Sequence, residues 1–170
     1  MSVEETFREF SAAKLRELSG RIQACLGKLT PEQVWMRNSP NANAIGNLVM
    51  HLCGNMTQWI GSGVSGLPDH RQRHAEFEAR GGLDNAALAA RLQTAVETAA
   101  AQIESLPAGR FTDIVTIQNY TVTKLEAIFH VVEHFAGHSG QILFATKLLT
   151  GEDLGFFPNL NKPAHAEKVP

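Results

Sequence analysis

The fold of this chain is decided by the stretch VTKLEAIFHVVEHFAGHSGQILFATKLLT, residues Val122–Thr150. Three histidines, His130, His134 and His138, stand four residues apart in it. Each step of four residues turns only about 40° around a helix, so the three share one face about 80° wide. That face also carries the apolar residues that a helical bundle would bury, which are Ala127, Val131, Phe135, Ile142, Ala145 and Leu149.

Histidines on a buried face need partners. Burying an imidazole costs free energy unless its nitrogens are satisfied. A metal ion is the partner that best suits histidines at positions i and i+4 of a helix. The alternative is a set of core histidines hydrogen-bonded to their neighbours, as lone buried histidines usually are. Three stacked on one inward face favour the metal, which needs a further ligand from elsewhere in the chain.

The segment Asn43–Val64 contains the candidate for that ligand. Its apolar stripe predicts a second helix, and His51 lies about 60° from Leu48 on it. Asn47, Asn55 and Gln58 line the same edge, as expected of polar side chains that support a ligating histidine. Alternatively, these polar residues mark where the helix turns towards water. The stripe consists of Ile45, Leu48, Leu52, Met56 and Trp59.

Two further helices complete the predicted architecture. Val3–Lys28 and about Leu83–Leu106 carry apolar residues at helical spacing. Between the long helices, Thr30–Gln33 has the form of a capped helical turn, and Thr112–Tyr120 alternates like a hairpin arm. The polar stretch up to Gly82 is expected to be a long loop that carries function or mobility. The sequence therefore predicts an all-α four-helix bundle, with residues 1–170 forming one domain.

Composition excludes several classes of function. The net charge of −2, from 15 basic and 17 acidic residues, gives no electrostatic footprint for nucleic acid. No apolar run approaches the roughly 20 residues that span a bilayer, and the acidic start MSVEETFREF does not resemble a signal peptide. A cytoplasmic protein with no nucleic-acid or membrane partner is expected. Arg71, Arg73 and His74 are interpreted as a solvated loop, and Cys25 and Cys53 as packed thiols.

Two motifs resemble those of the DinB-like superfamily, also called the YfiT-like metalloenzymes. The second-helix pattern NLxxHLxxNxxxW reads here from Asn47 through His51 and Asn55 to Trp59. The fourth-helix pattern HxxxHxGQI reads from His134 to Ile142. The number and order of the helices match as well, over nearly the whole chain. The resemblance implies a four-helix bundle of DinB/YfiT-like type.

The resemblance also implies a divalent metal held by three histidines, often in a homodimer. The superfamily's ligand on the second helix falls on His51, and its two ligands on the fourth helix fall on His134 and His138. His130 lies one turn earlier, outside the usual ligand positions, and is expected to line the pocket or to support a ligand. Gln141 and Asn55 are expected to act in the same way.

A metal held by these three histidines would have an open coordination position. Three neutral imidazoles leave at least one coordination position free, which is typical of catalytic sites. An ion there could lower the pKa of water or of a thiol and give a nucleophile at neutral pH. Imidazole suits several transition metals, and the sequence does not select one of them. Zinc or nickel is expected. Glu126 and Glu133 lie about 80° and 100° from His134 and are expected to face solvent, so neither is a convincing general base.

Three hypotheses about function follow. The first is a metal-dependent enzyme acting on a small-molecule substrate, a transferase or hydrolase. Relatives in the superfamily include thiol S-transferases and a thiol-dependent maleylpyruvate isomerase, so a low-molecular-weight thiol is a candidate cosubstrate. The second is a non-catalytic metal-binding stress or interaction protein. The third is a purely structural bundle with hydrogen-bonded core histidines. Metal content separates the third from the others, and turnover with a thiol and an electrophile separates the first from the second.

Overall fold

Helices form most of the computed structural model of this protein, which describes residues 2–157. The predicted domain of residues 1–170 extends past the described residues at Met1 and at 158–170. In chain order the elements are α1 (Val3–Lys28), α2 (Pro31–Val34), α3 (Ile45–Met56), a π-helical segment (Thr57–Val64), α4 (Arg73–Glu78), α5 (Asn85–Glu104), β1 (Ile114–Ile117), β2 (Tyr120–Thr123) and α6 (Lys124–Thr150). The predicted all-α four-helix bundle is confirmed.

Local signals set where these helices begin and end. Ser2, Thr30 and Thr123 each accept a hydrogen bond from the backbone N–H of the third residue of the helix that follows, and the side-chain oxygen of that residue accepts one from the backbone N–H of the cap residue. These capping boxes satisfy backbone N–H groups that have no partner within the helix. The Asp84 side chain caps α5. Gly151 ends α6 at φ 71°, a left-handed conformation that glycine adopts without steric cost.

The four long helices enclose one apolar core. α1 packs on α5 and α6, and α3 packs on the same two helices, so α1 and α3 lie diagonally across the bundle. All four helices contribute buried side chains, among them Leu15, Leu52, Leu92 and Phe135. Since this core is continuous, we expect the fold to form without an ion that brings its helices together. Within residues 2–157, no helix has the length and apolar character needed to cross a membrane.

The second predicted helix changes its winding halfway along. After Met56 the chain continues as the π-helical segment, in which the Ser65 N–H bonds to the Ile60 carbonyl. The hairpin of β1 and β2 packs beside it, and a Cβ atom on Gly63 would overlap Ile117. Segments of π-helix occur often at functional sites. Here the segment carries Trp59, which lies against α6.

The expected long loop before Gly82 is only partly a loop. Residues Arg73–Glu78 form α4, which packs against α3. The side chain of Asn47 holds the end of α4 in place, because its amide donates to the Glu76 carbonyl at 2.8 Å and to the Ala79 carbonyl at 2.9 Å. This segment is therefore fixed against the second long helix, beside His51.

Candidate metal centre

Three histidines converge between α3 and α6. His51 comes from α3, and His134 and His138 come from successive turns of α6. One ring nitrogen of each lies within 4.8 Å of the others, and the Nε2 atoms of His51 and His134 are 2.9 Å apart. Zinc–nitrogen bonds of about 2.0–2.1 Å place the nitrogens of a tetrahedral site about 3.3 Å apart. The spacing and the chemistry of these donors therefore fit a divalent transition metal.

Burial keeps the imidazoles of His134 and His138 neutral at neutral pH. His51 is buried, and His134 and His138 are partly buried at the edge of the packed face of α6. Burial, together with the nearby rings of His138, His51 and His130 and the charge of Arg71, lowers the pKa of His134 to about 3. Burial also lowers the pKa of His138, against the opposing effect of its hydrogen bond to Gln141. A neutral imidazole is the form that binds a metal, so His134 and His138 are ready to do so at neutral pH.

A buried carboxylate, which the sequence did not predict, holds His51. Glu76 Oε2 lies 3.0 Å from His51 Nδ1. An ionised carboxylate can only accept, so this contact favours a hydrogen on Nδ1 and a lone pair on Nε2, whereas Arg71 Nη2, also 3.0 Å from Nδ1, can only donate to it. Such carboxylates behind metal-bound histidines fix the ring and raise its basicity. Glu76 therefore supports the ring orientation that a ligand needs.

Arg71 keeps this carboxylate ionised. Its guanidinium makes a two-pronged contact with Glu76, with Nε 2.8 Å from Oε1 and Nη2 2.9 Å from Oε2. Burial alone would raise the pKa of Glu76, but the hydrogen bonds and charge of Arg71, with the contact to His51, lower it overall. The prediction that Arg71 is a solvated loop residue is wrong, since its side chain is only 3% exposed. Gln58 accepts a further hydrogen bond from Arg71, at 2.9 Å.

Gly54 allows the ion pair of Glu76 and Arg71 to approach α3 closely. A Cβ atom on Gly54 would overlap the carboxylate of Glu76 and crowd Arg71. Glycine in the middle of a helix costs about 1 kcal/mol relative to alanine. The close approach of Glu76 to α3 explains why glycine stands at this position. The predicted role of Asn47 in supporting His51 is therefore indirect, because Asn47 holds the segment that carries Glu76.

The remaining predicted site residues lie around the cluster. Gln141 Oε1 is 2.8 Å from His138 Nδ1; an amide oxygen accepts, so this contact leaves His138 Nε2 free to bind. His130 stands outside the converging group, with its ring centroid 4.1 Å from Trp59 and 5.5 Å from His134. Asn55 is buried one turn after His51. Metal binding by His51, His134 and His138 stays a prediction, as do the pocket or supporting roles of His130, Gln141 and Asn55.

A cavity of about 300 Å³ opens on the α6 side of the cluster. Its lining includes His134, His138 and Gln141, with His130 at one end. Glu133 is exposed, as the sequence predicted, yet it also lines this cavity. The cluster is thus open to a small molecule, with two titratable groups beside the three candidate ligands.

Comparison with known proteins identifies a fold and a family. A conserved protein from Enterococcus faecalis, known from its crystal structure, matches 89% of this chain and 99% of its own with a TM-score of 0.74. The two are 15% identical in sequence, so the likeness concerns the fold alone. No curated protein matches the chain. Residues 2–158 match the family described as protein of unknown function DUF1572, and the chain belongs to that family.

Proposed function

We propose that this protein is a metal-dependent enzyme of DinB-like type whose divalent ion is held by His51, His134 and His138. The observation that carries the proposal is the convergence of three imidazole nitrogens within 4.8 Å, with Nδ1 of two rings bonded to Glu76 and Gln141. Hydrogen-bonded core histidines would explain the contacts one by one. They do not require that one nitrogen from each of three rings meet within 4.8 Å.

The residues in and around the cluster would bind the metal, orient its ligands and accept a proton. Three protein ligands would leave at least one coordination position open, and an ion held by them would supply a Lewis acid that lowers the pKa of water or of a thiol. Glu76 and Gln141 orient two of the rings. Glu133 and His130 line the cavity and are the candidates for taking up a proton. Burial lowers the pKa of His130, so it is neutral and able to accept at pH 7.

The substrate class is proposed from the sequence motifs. The NLxxHLxxNxxxW and HxxxHxGQI patterns resemble those of the superfamily, whose members include thiol-dependent enzymes, so we assign a low-molecular-weight thiol as cosubstrate and a small electrophile as acceptor. In an S-transfer the thiol loses its proton, its sulfur bonds to the electrophilic carbon, and the leaving group departs with the electron pair of the broken bond. The cavity of about 300 Å³ is at the small end of the range for ligand sites.

Elemental analysis tests the metal. Protein purified without a histidine tag should contain about one zinc or nickel ion per chain. His51→Ala, His134→Ala and His138→Ala should each lose it, whereas His74→Ala should not, since that side chain is exposed and bonds to Glu78. Metal retained in the triple variant would refute the site. A loaded protein that turns over no thiol with any electrophile would favour the non-catalytic metal-binding alternative.

We also propose that the protein is a homodimer that uses α6. Phe129, Phe144 and Leu148 are 57%, 65% and 68% exposed along the outer face of this helix, and a line of large apolar side chains of this kind is typical of an interface. Sedimentation velocity should give a dimer for the wild type and a monomer for Phe144→Lys. A monomeric wild type at all concentrations would refute the proposal.

A further inference from the structure

A second and larger cavity lies between α3 and α5. Its volume is about 830 Å³, and residues 67–76 form its rim. Cys53 lines it and points about 160° away from His51 around α3. The cavity therefore opens on the opposite side of α3 from the histidine cluster. We call it the α3–α5 groove.

Size and lining suit a small organic molecule. Sites for such ligands occupy about 300–1,000 Å³ and are mostly apolar, with a few polar groups that fix the orientation. Met50, Ala90 and Ala95 contribute apolar surface to the α3–α5 groove, Met56 lines it as a buried residue, and Leu67 at the rim is 53% exposed. The groove can thus cover the apolar part of a ligand.

One positive charge at this groove has no ion-pair partner among residues 2–157. Of its charged lining residues, Arg71 and Glu76 neutralise each other. Arg91 is exposed and, within residues 2–157, makes no ion pair or hydrogen bond. Its neighbours one turn away on α5 carry no charge; they are Ala87, Leu88, Thr94 and Ala95. Among the described residues, the Arg91 guanidinium therefore lies unpaired beside an apolar groove.

We propose that the α3–α5 groove binds an amphipathic organic anion, a carboxylate with an apolar chain, whose carboxylate pairs with Arg91. The planar fork of arginine matches a carboxylate with two parallel hydrogen bonds. The apolar chain lies along Met50 and Met56. Binding is non-covalent, because Cys53 is buried, with 3% of the residue exposed. The groove shares Arg71 and Glu76 with the support of His51, but none of the three candidate ligands lines it.

Methionine methyl NMR tests the proposal with decanoate as the probe. The chain has four methionines; Met50 and Met56 line the groove, whereas Met36 is exposed elsewhere and serves as an internal control. Decanoate should shift the Met50 and Met56 signals in a saturable way and leave Met36 unchanged. Decanol, which has the same chain without the charge, should bind at least about tenfold more weakly.

Substitutions test whether the carboxylate of decanoate binds at Arg91. Arg91→Gln should weaken decanoate binding about tenfold, while Arg110→Gln, at an exposed arginine outside the groove, should not change it. His134→Ala should bind decanoate like the wild type. Equal binding of decanoate and decanol, no effect of Arg91→Gln, or loss of binding in His134→Ala would each overturn the proposal. So would Met50 and Met56 signals that respond to protein dilution and not to decanoate, which would identify a second copy as the occupant.

Discussion

Replacing Glu76 by glutamine should weaken metal binding while the three candidate ligands stay in place. Glutamine keeps the shape of the side chain and an oxygen that can accept from His51 Nδ1, but it removes the negative charge. If His51 binds the ion through Nε2, the ion loses the support that a carboxylate gives to the opposite nitrogen of the ring. The effect on affinity can be worked out from the contacts.

A hydrogen bond to a charged group contributes about 1.5–3 kcal/mol, against about 0.5–1.5 kcal/mol for a neutral one. In Glu76→Gln, the 3.0 Å contact with His51 would change from a hydrogen bond to a charged group into one to a neutral group. The difference of about 1–2 kcal/mol corresponds to a 5–30-fold loss of affinity. This agrees with the 10–100-fold effects typical of residues behind metal-bound histidines.

Folding must be separated from binding in this test. Glu76→Gln leaves the buried guanidinium of Arg71 without its carboxylate, and breaking a buried pair in this way costs about 3–5 kcal/mol of stability. Combining it with Arg71→Met removes the unpaired charge, so the double variant should regain stability but not affinity. The matched control is Glu78→Gln, two residues later on α4, whose side chain is 64% exposed.

Competition with a chromogenic chelator measures the affinity of each variant, and thermal unfolding of the metal-free protein measures its stability. Unchanged affinity in a folded Glu76→Gln protein would refute the reasoning, as would an equal loss in Glu78→Gln.

Three further predictions concern the same centre. His130→Ala should leave the metal bound while changing turnover, because His130 lies outside the converging group and lines the cavity. Loss of metal in this variant, measured by elemental analysis, would show that the assignment of the ligands is wrong. Gly54→Ala should lower metal affinity by displacing Glu76, whereas Gly20→Ala, in open space on α1, should only raise the melting temperature. Chelation should lower the melting temperature but leave the helical circular-dichroism spectrum unchanged at room temperature, since an ion at one hundred times its Kd stabilises the native state by about 2.7 kcal/mol; loss of helix would mean that the ion organises the fold.

Local signals made the bundle predictable. Apolar spacing marks the four long helices, and caps such as Ser2, Thr123 and Gly151 mark their ends. The positions of His134 and His138 follow from the same periodicity, because residues four apart on a helix share a face. The π-helical segment does not follow from it. Its winding accompanies the packing of Ile117 against Gly63, a contact between segments more than fifty residues apart.

The contact of Glu76 and Arg71 with His51 could not be predicted from periodicity either, because it also joins segments that are distant in sequence. Glu76 and Arg71 lie 25 and 20 residues after His51, in a polar segment whose pattern predicts only a loop. One local signal did exist. Gly54 stands in the middle of an otherwise good helix, where glycine indicates that something approaches the backbone closely. That signal locates the approach on α3 but does not name the group that approaches.

The buried pair of Glu76 and Arg71 bears on the choice between a metal centre and core histidines. A buried ion pair is weak evidence for stability, since desolvation offsets much of the attraction, and the continuous apolar core of this bundle holds its helices without one. A core histidine could be satisfied by a neutral acceptor at a smaller desolvation cost. Here the carboxylate instead meets His51 Nδ1 and is kept ionised by Arg71. Orienting Nε2 and raising its basicity are what a metal ligand requires, so the pair favours the metal over the structural interpretation.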